Sequence, residues 1–367
     1  MSVVTKTTKY FLFNSYLIYL LCEETDFETG FVNSDSATGP TSRSQISNSP
    51  MVYQSLSSKC HPDFSQRQQE RTLSMEESNC LQSLWPTGID YESQKNQNLR
   101  HIPNTCLWTL ENPKYISWRD SDTQKLLWIS ADPGCGKSVL ARCIIDEDLP
   151  KAFQNKSTKR IVYYFFKDTS PDQRSATRAI SSILHQLFTF QPQLIRHALP
   201  SYREIGAALS NKFQKLWSIF TAVVADPLAE EVTCLFDAFD ECSEQEQTIL
   251  IEALEDSFLH QQRQSPVSRL KLLVTSRPYF GIRRGFGKLL EASTNIELAG
   301  NDESASIKRE IDYVVKYRVA ELKQENRLEE KVSNHLEKRL LETEHRTYLW
   351  LRLLWEIIRT DLCGTIT

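Results

Sequence analysis

Glycine is scarce in this sequence: 11 of 367 residues, about 3% against a usual 7% or so. A surplus of positive charge is also missing. Lys plus Arg is 43 and Asp plus Glu is 47, giving a net charge of −4, which excludes a basic coat for nucleic acid. The nine cysteines form no Cys-x-x-Cys pair, and there are only seven histidines. The odd count and wide spacing exclude a disulfide framework, imply reduced intracellular thiols and give no zinc signature. The apolar run at 10–22, YFLFNSYLIYLLC, is broken by Asn14 and Ser15 and is too short for an ordinary membrane span. No A-x-A-like cleavage site follows it, so it reads as a short packed or loosely ordered segment. No repeat period is visible.

What is present is a 40% apolar fraction, enough for a sizeable core, in a length that fits one large domain or two. Residues 31–60 hold nine serines and few large apolar groups, which predicts a flexible stretch. Order is expected from Cys80, with a short helix ending at Pro86. The segment 105–118, TCLWTLENPKYISW, is divided by Pro113 into two short helices or a helix and a turn. Trp108, Leu110, Tyr115 and Trp118 are its packing residues.

Residues 126–130, LLWIS, form an apolar strand. ADPGCGKS follows at 131–138, and VLARCIIDEDL continues with helical spacing. Strand, tight loop and helix are the setting in which such a sequence cradles phosphate. Gly134 and Gly136 let the backbone curl, and the loop amides and helix start point at phosphate oxygens. The nucleotide-binding residues are therefore Ala131, Asp132, Pro133, Gly134, Cys135, Gly136, Lys137, Ser138 and Val139. Lys137 supplies positive charge, and Ser138 offers a hydroxyl to Mg²⁺. Ala131 stands where the G-x-x-x-x-G-K-[ST] pattern has its first glycine. The expectation is that this position needs only a small side chain.

RIVYYFF at 160–166 reads as a buried strand and 172–188 as a helix whose His185 packs or faces solvent. A further amphipathic helix covers 212–224. In TCLFDAFDEC, 233–242, Asp237 ends a strand, where α/β sheets bind ligands, and is the second Mg²⁺ ligand. Glu241 is the preferred base for the attacking water, and Asp240 helps to position metal or water. A helix at 248–262 precedes the strand LKLLVTSRP, 270–278. At its end Thr275 or Ser276 is expected to report a γ-phosphate, and Arg277 to contact phosphate or the acidic motif. TNIELAG, 294–300, is the next strand. The alternation predicts an α/β fold, a P-loop NTPase three-layer sandwich around a mostly parallel sheet, followed by a helical tail.

The ordered set TCLWTLENPKYISW, LLWISADPGCGKSVLAR, DQRSATRAI-x-x-ILHQLF, LFDAFDEC and LLVTSRP resembles the NACHT branch of the STAND nucleotide-switch ATPases. It is most similar to fungal NACHT proteins with a nephrocystin-3-like region. The resemblance covers about 80–300 and, weakly, the tail. It implies that Lys137 and Ser138 are the Walker A pair and Asp237 the Walker B carboxylate. It makes Asp240 and Glu241 the water-activating acids and Arg277 a sensor-1-like residue. The family usually has glycine in place of Ala131. The implied ligand is Mg²⁺ with ATP or GTP, turning an assembly switch in nonself recognition or cell death. Implied partners are further copies of the chain or a signalling protein, in the cytoplasm, with no nucleic-acid or membrane role.

The expected organisation is a poorly defined segment 1–79, a helical lead-in 80–120, the nucleotide-binding domain 121–300 and a helical tail 301–367. In the tail, Ile307, Ile311 and Val314 make one apolar stripe. Leu322, Leu328, Val332, Leu336 and Leu340 make another. YLWLRLLWEII, 348–358, is expected to pack on the core or on a partner.

Overall fold

The computed structural model describes residues 73–364 except 86–89, 155–158, 265–268, 292–294, 300–303, 327–329 and 345. The apolar run at 10–22, the serine-rich stretch and Leu328 lie outside the described residues. Residues from Leu73 onward form one compact unit. Its first helix, α1 (Met75–Leu84), begins earlier than the apolar pattern indicates because Ser74 caps it. The Ser74 hydroxyl accepts from the Glu77 N–H at 3.2 Å, and the Ser74 N–H donates to Glu77 Oε2 at 2.8 Å. Three short helices follow: α2 (Tyr91–Asn96), α3 (Leu107–Leu110) and α4 (Pro113–Asp120). Pro113 opens α4, where its missing N–H costs nothing.

The alternating part starts with β1 (Leu126–Ser130) and α5 (Lys137–Cys143). A single π turn at Ile144–Asp148 carries α5 into α6 (Leu149–Phe153). Then come β2 (Lys159–Phe165), α7 (Ala176–Phe190), α8 (Leu199–Ile205) and α9 (Phe213–Ala225). Helix α7 does not start at Asp172 as its spacing predicts. Residues 172–174 make a 3-10 turn and Ser175 is the extended N-cap, its hydroxyl accepting from Arg178 N–H. Next are β3 (Glu231–Asp237), α10 (Glu244–Gln264), β4 (Leu270–Ser276), α11 (Phe280–Glu291) and β5 (Asn295–Ala299). The tail is α12 (Ser304–Asn326), α13 (Glu330–Glu342) and α14 (Tyr348–Gly364).

The five strands are all parallel, in the order β2-β3-β4-β1-β5. This order explains the layers. The chain crosses from β1 to the far edge at β2, then steps back through β3 and β4 towards β5. Right-handed crossovers therefore place α5 and α6 on one face and the later helices on the other. Burial follows that rule. Leu127, Ile129, Phe165, Leu235 and Leu273 pack with Leu140 and Ile144, together with Trp118 and Ile311. Their neighbours Leu126, Trp128, Tyr164, Phe236 and Val274 pack with α1, α7, α9, α10 and α11. The period of two splits each strand between the layers. Both faces are covered, so β1, β3 and β4 read as continuous apolar runs.

Two polar residues in these layers show the cost of burial. Lys271 on β4 donates to the Trp118 and Arg119 carbonyls at 2.8 and 2.9 Å, capping the end of α4. Burial lowers its ammonium pKa to about 8. His185 on α7 is buried edge-on against Trp85, and burial lowers its pKa to about 4. It is a packing histidine. In the tail, Ile307, Ile311, Val314, Leu322, Leu336 and Leu340 are buried as the stripes predict, but Val332 is 41% exposed.

Candidate functional site

The loop 131–138 joins the C-terminal end of β1 to α5. Gly134 and Gly136 have φ of +83° and +81°, a conformation that favours glycine. Space is tight there as well. A Cβ on Gly134 would stand 2.9 Å from Thr347 Cβ, and one on Gly136 3.0 Å from the Tyr348 ring. Ala131 is different. Its φ is not positive, and it is fully buried as an extension of β1, donating its N–H to the Ser276 carbonyl at 3.1 Å. The position needs a small residue, and alanine meets that need without strain.

Lys137 opens α5 and turns back over the loop. Its Nζ donates to the Ala131 and Asp132 carbonyls at 2.6 and 3.1 Å. Burial lowers its pKa, opposed by the negative charge of Asp240 and of Asp237. Asp237, at the end of β3, is 1% exposed. Burial raises its pKa, while hydrogen bonds from Ser138 and Thr275 and the Lys137 charge pull it back down. The Thr275 hydroxyl donates to Asp237 Oδ1 at 2.6 Å and accepts the Ala238 N–H at 3.0 Å.

Thr275 is fully buried and serves Asp237 and the turn after it. Ser276 is also fully buried; it accepts from Trp128 Nε1 at 2.8 Å and donates to the Arg277 carbonyl. Sequence reasoning missed the Thr275 role because the pairing of β3 with β4 supplies it. It also missed Ala238, whose φ of +53° turns the chain sharply into the 3-10 turn Phe239–Glu241.

The turn separates two adjacent carboxylates. Asp240 has a 4% exposed side chain and gives both oxygens to Arg277: Oδ2 pairs with Arg277 Nε at 3.1 Å, and Oδ1 accepts the Arg277 N–H at 3.0 Å. Arg277 Nη1 donates to the Tyr279 hydroxyl at 2.8 Å. Arg277 thus contacts the acidic motif, and both Asp240 oxygens hold Arg277. Glu241 points elsewhere. Its Oε2 accepts the Asp168 N–H at 3.0 Å, and burial raises its pKa despite that bond. It borders a cavity of about 360 Å³ shared with Ser138 and Asp237.

The donor set fits Mg²⁺. No group of three or more His, Cys, Asp or Glu side chains suited to a metal occurs among the described residues. Mg²⁺ needs no such cage: it takes one or two protein oxygens plus phosphate and water. A fully buried carboxylate beside a hydroxyl and the phosphate loop matches that requirement.

The tail completes the site. The Tyr348 N–H, at the start of α14, donates to the Gly134 carbonyl at 2.8 Å. The Tyr348 hydroxyl donates to Glu310 Oε2 at 3.0 Å. Glu310, on α12, also accepts the Cys106 and Trp108 N–H groups at 2.8 and 3.1 Å. Beside Gly136 and Val139 lies an apolar cavity of about 190 Å³, bordered also by Ile102, Trp108, Leu351 and Trp355. A cavity of roughly 150 Å³ already holds a benzene ring.

The parallel sheet, the glycine-bent loop and the buried carboxylate two strands over define the class: an α/β domain of the P-loop NTPase type. Residues 104–277 match the family described as Nephrocystin 3, N-terminal. Residues 307–363 match a second family, described as a domain of unknown function. The vegetative incompatibility protein HET-E-1 of Podospora anserina is 27% identical over 286 residues, 76% of this chain. The chain spans 20% of the length of that relative. Among solved structures, the ORC2 protein of Aeropyrum pernix in ADPNP and ADP complexes is similar at 15% identity and a TM-score of 0.29. That match covers 48% of this chain and 42% of the other, and a likeness this low carries no functional weight.

Proposed function

We propose that this chain is a nucleotide-dependent switch that binds ATP or GTP with Mg²⁺ and hydrolyses the γ-phosphate slowly. One observation carries the reading: the phosphate loop faces a fully buried carboxylate, Asp237, already hydrogen-bonded to the loop's own Ser138. The loop amides and Lys137 bind the phosphates, with Lys137 exchanging two loop carbonyls for phosphate oxygens. Ser138 and Asp237 would hold Mg²⁺, which supplies neutralisation of developing phosphate charge. Glu241 orients and deprotonates water: it borders the Ser138 and Asp237 cavity, and its raised pKa makes it a stronger base than a free carboxylate. The apolar cavity beside Gly136 and Val139 receives the base.

Likeness to part of an incompatibility protein supports a role in fungal nonself recognition or cell death, through self-assembly or a signalling partner. No helix among the described residues is long and apolar enough to cross a membrane, which is compatible with a cytoplasmic site of action. A second reading, a nucleotide-binding scaffold without turnover, is favoured by the tail contacts on the loop at Gly134 and Gly136. Single-turnover assay of γ-labelled ATP and GTP over hours decides between them. Phosphate release that requires Mg²⁺ supports the switch with turnover. Binding without release assigns the scaffold, and absence of binding removes both.

A further inference from the structure

Helix α14 starts on the phosphate loop, and its bearing there is fixed. Tyr348 is held at its N–H by Gly134 and at its hydroxyl by Glu310, and its ring lies against Gly136. Arg352 stands four residues further on, on the same face of the helix. Its side chain borders both cavities around the loop. One is the apolar cavity along Gly136 and Val139; the other is the polar cavity of Ser138, Asp237 and Glu241. Arg352 is thus a tail residue placed between the base side and the metal side of the site.

Its present restraint is weak. Arg352 Nε meets Glu356 Oε1 at 3.2 Å, and the two side chains are 51% and 58% exposed. An exposed i,i+4 pair of this kind holds a guanidinium loosely, so a phosphate oxygen competes easily for it. The same cavity carries acidic groups: Asp237 and Glu241 line it. The lysine there, Lys167, donates to Gln97 Oε1 at 3.0 Å. A terminal phosphate entering that cavity brings negative charge towards two carboxylates, and a cation in its lining offsets the repulsion.

We propose that Arg352 contacts the terminal phosphate of the bound triphosphate, so that α14 distinguishes triphosphate from diphosphate. The inference rests on the nucleotide-binding reading above. It gives a function to part of the segment 307–363, whose family is described only as a domain of unknown function.

The test is equilibrium titration of the full chain with mant-ATP and with mant-ADP, each with Mg²⁺. Arg352→Gln is expected to weaken mant-ATP about tenfold, the loss of one charge-assisted hydrogen bond, and mant-ADP by less than about twofold. Arg352→Lys retains most of the preference. Glu356→Gln, which frees the arginine, is expected to raise mant-ATP affinity about twofold; it tests the idea even where Arg352→Gln folds poorly. Unchanged mant-ATP affinity in a folded Arg352→Gln protein, or equal losses for both nucleotides, overturns the proposal. The unmodified protein and Lys137→Ala separate the two layers. Binding by the first that is lost in the second upholds the phosphate site whatever Arg352 does. No binding by the unmodified protein removes both.

Discussion

The phosphate loop and the tail meet at the same end of the sheet by different means. The loop is contiguous, six residues between a strand and a helix, and its conformation is written locally in Gly134 and Gly136. The tail contribution is scattered. Glu310 and Tyr348 are 38 residues apart, and Glu310 grips backbone N–H groups 202 and 204 residues away. A local motif tolerates little change at a few positions. A dispersed one spreads its tolerance, because each contact is one of several. Substitutions in the first region should therefore abolish a function, while those in the second should tune it.

The largest separation is expected for Glu241→Gln. Turnover should fall by about 10²–10³-fold while nucleotide affinity is kept, since a general base is removed and the cavity retains its shape. The pH profile sharpens the point. Glu241 must be ionised to accept a proton, and burial raises its pKa above the usual 4.5. Turnover should therefore decline, as pH falls, at a higher pH than a free glutamate would give. A limb at or below 4.5 in a pH–rate profile would contradict the assignment.

Asp237→Asn comes next. Burial penalises the Asp237 charge, so the amide should slightly raise the melting temperature of the nucleotide-free protein. The same change should weaken Mg²⁺-dependent nucleotide binding by at least about tenfold. A lower melting temperature without nucleotide would show that the charge stabilises the fold.

Tail substitutions should act more gently. Tyr348→Ala removes the ring against Gly136 and the bond to Glu310, a loss of about 2–3 kcal/mol and several degrees in melting temperature. Tyr348→Phe removes only the hydroxyl, about 1 kcal/mol, because Glu310 keeps its two backbone donors. Equal effects of the two changes would place the whole contribution in the hydroxyl.

The same contrast explains what was legible in the sequence. Strands buried on both faces are continuous apolar runs, and helices around them repeat at three and four, so the α/β pattern could be read directly. Lys137, Ser138 and Asp237 were readable because loop and strand end are each short and local. The division between Asp240 and Glu241 was not readable. Nothing in the pair says which carboxylate turns to Arg277; the left-handed Ala238 and the neighbouring strand decide it. Thr275 and Ser276 end β4, and pairing with β1 buries them, which a local pattern does not reveal. The apolar start of α14 announced burial without naming its partner, since contact with Gly134 depends on how three tail helices stack.

The phosphate site itself is tested by titrating the full chain with mant-ATP and mant-GTP in the presence of Mg²⁺, set beside Lys137→Ala. Saturable binding of at least one nucleotide is expected, weakened by Mg²⁺ removal and reduced at least about a hundredfold by the substitution, with the apo fold unchanged. Equal affinity in the two proteins would contradict the assignment, because the loop would then not be where the phosphates bind.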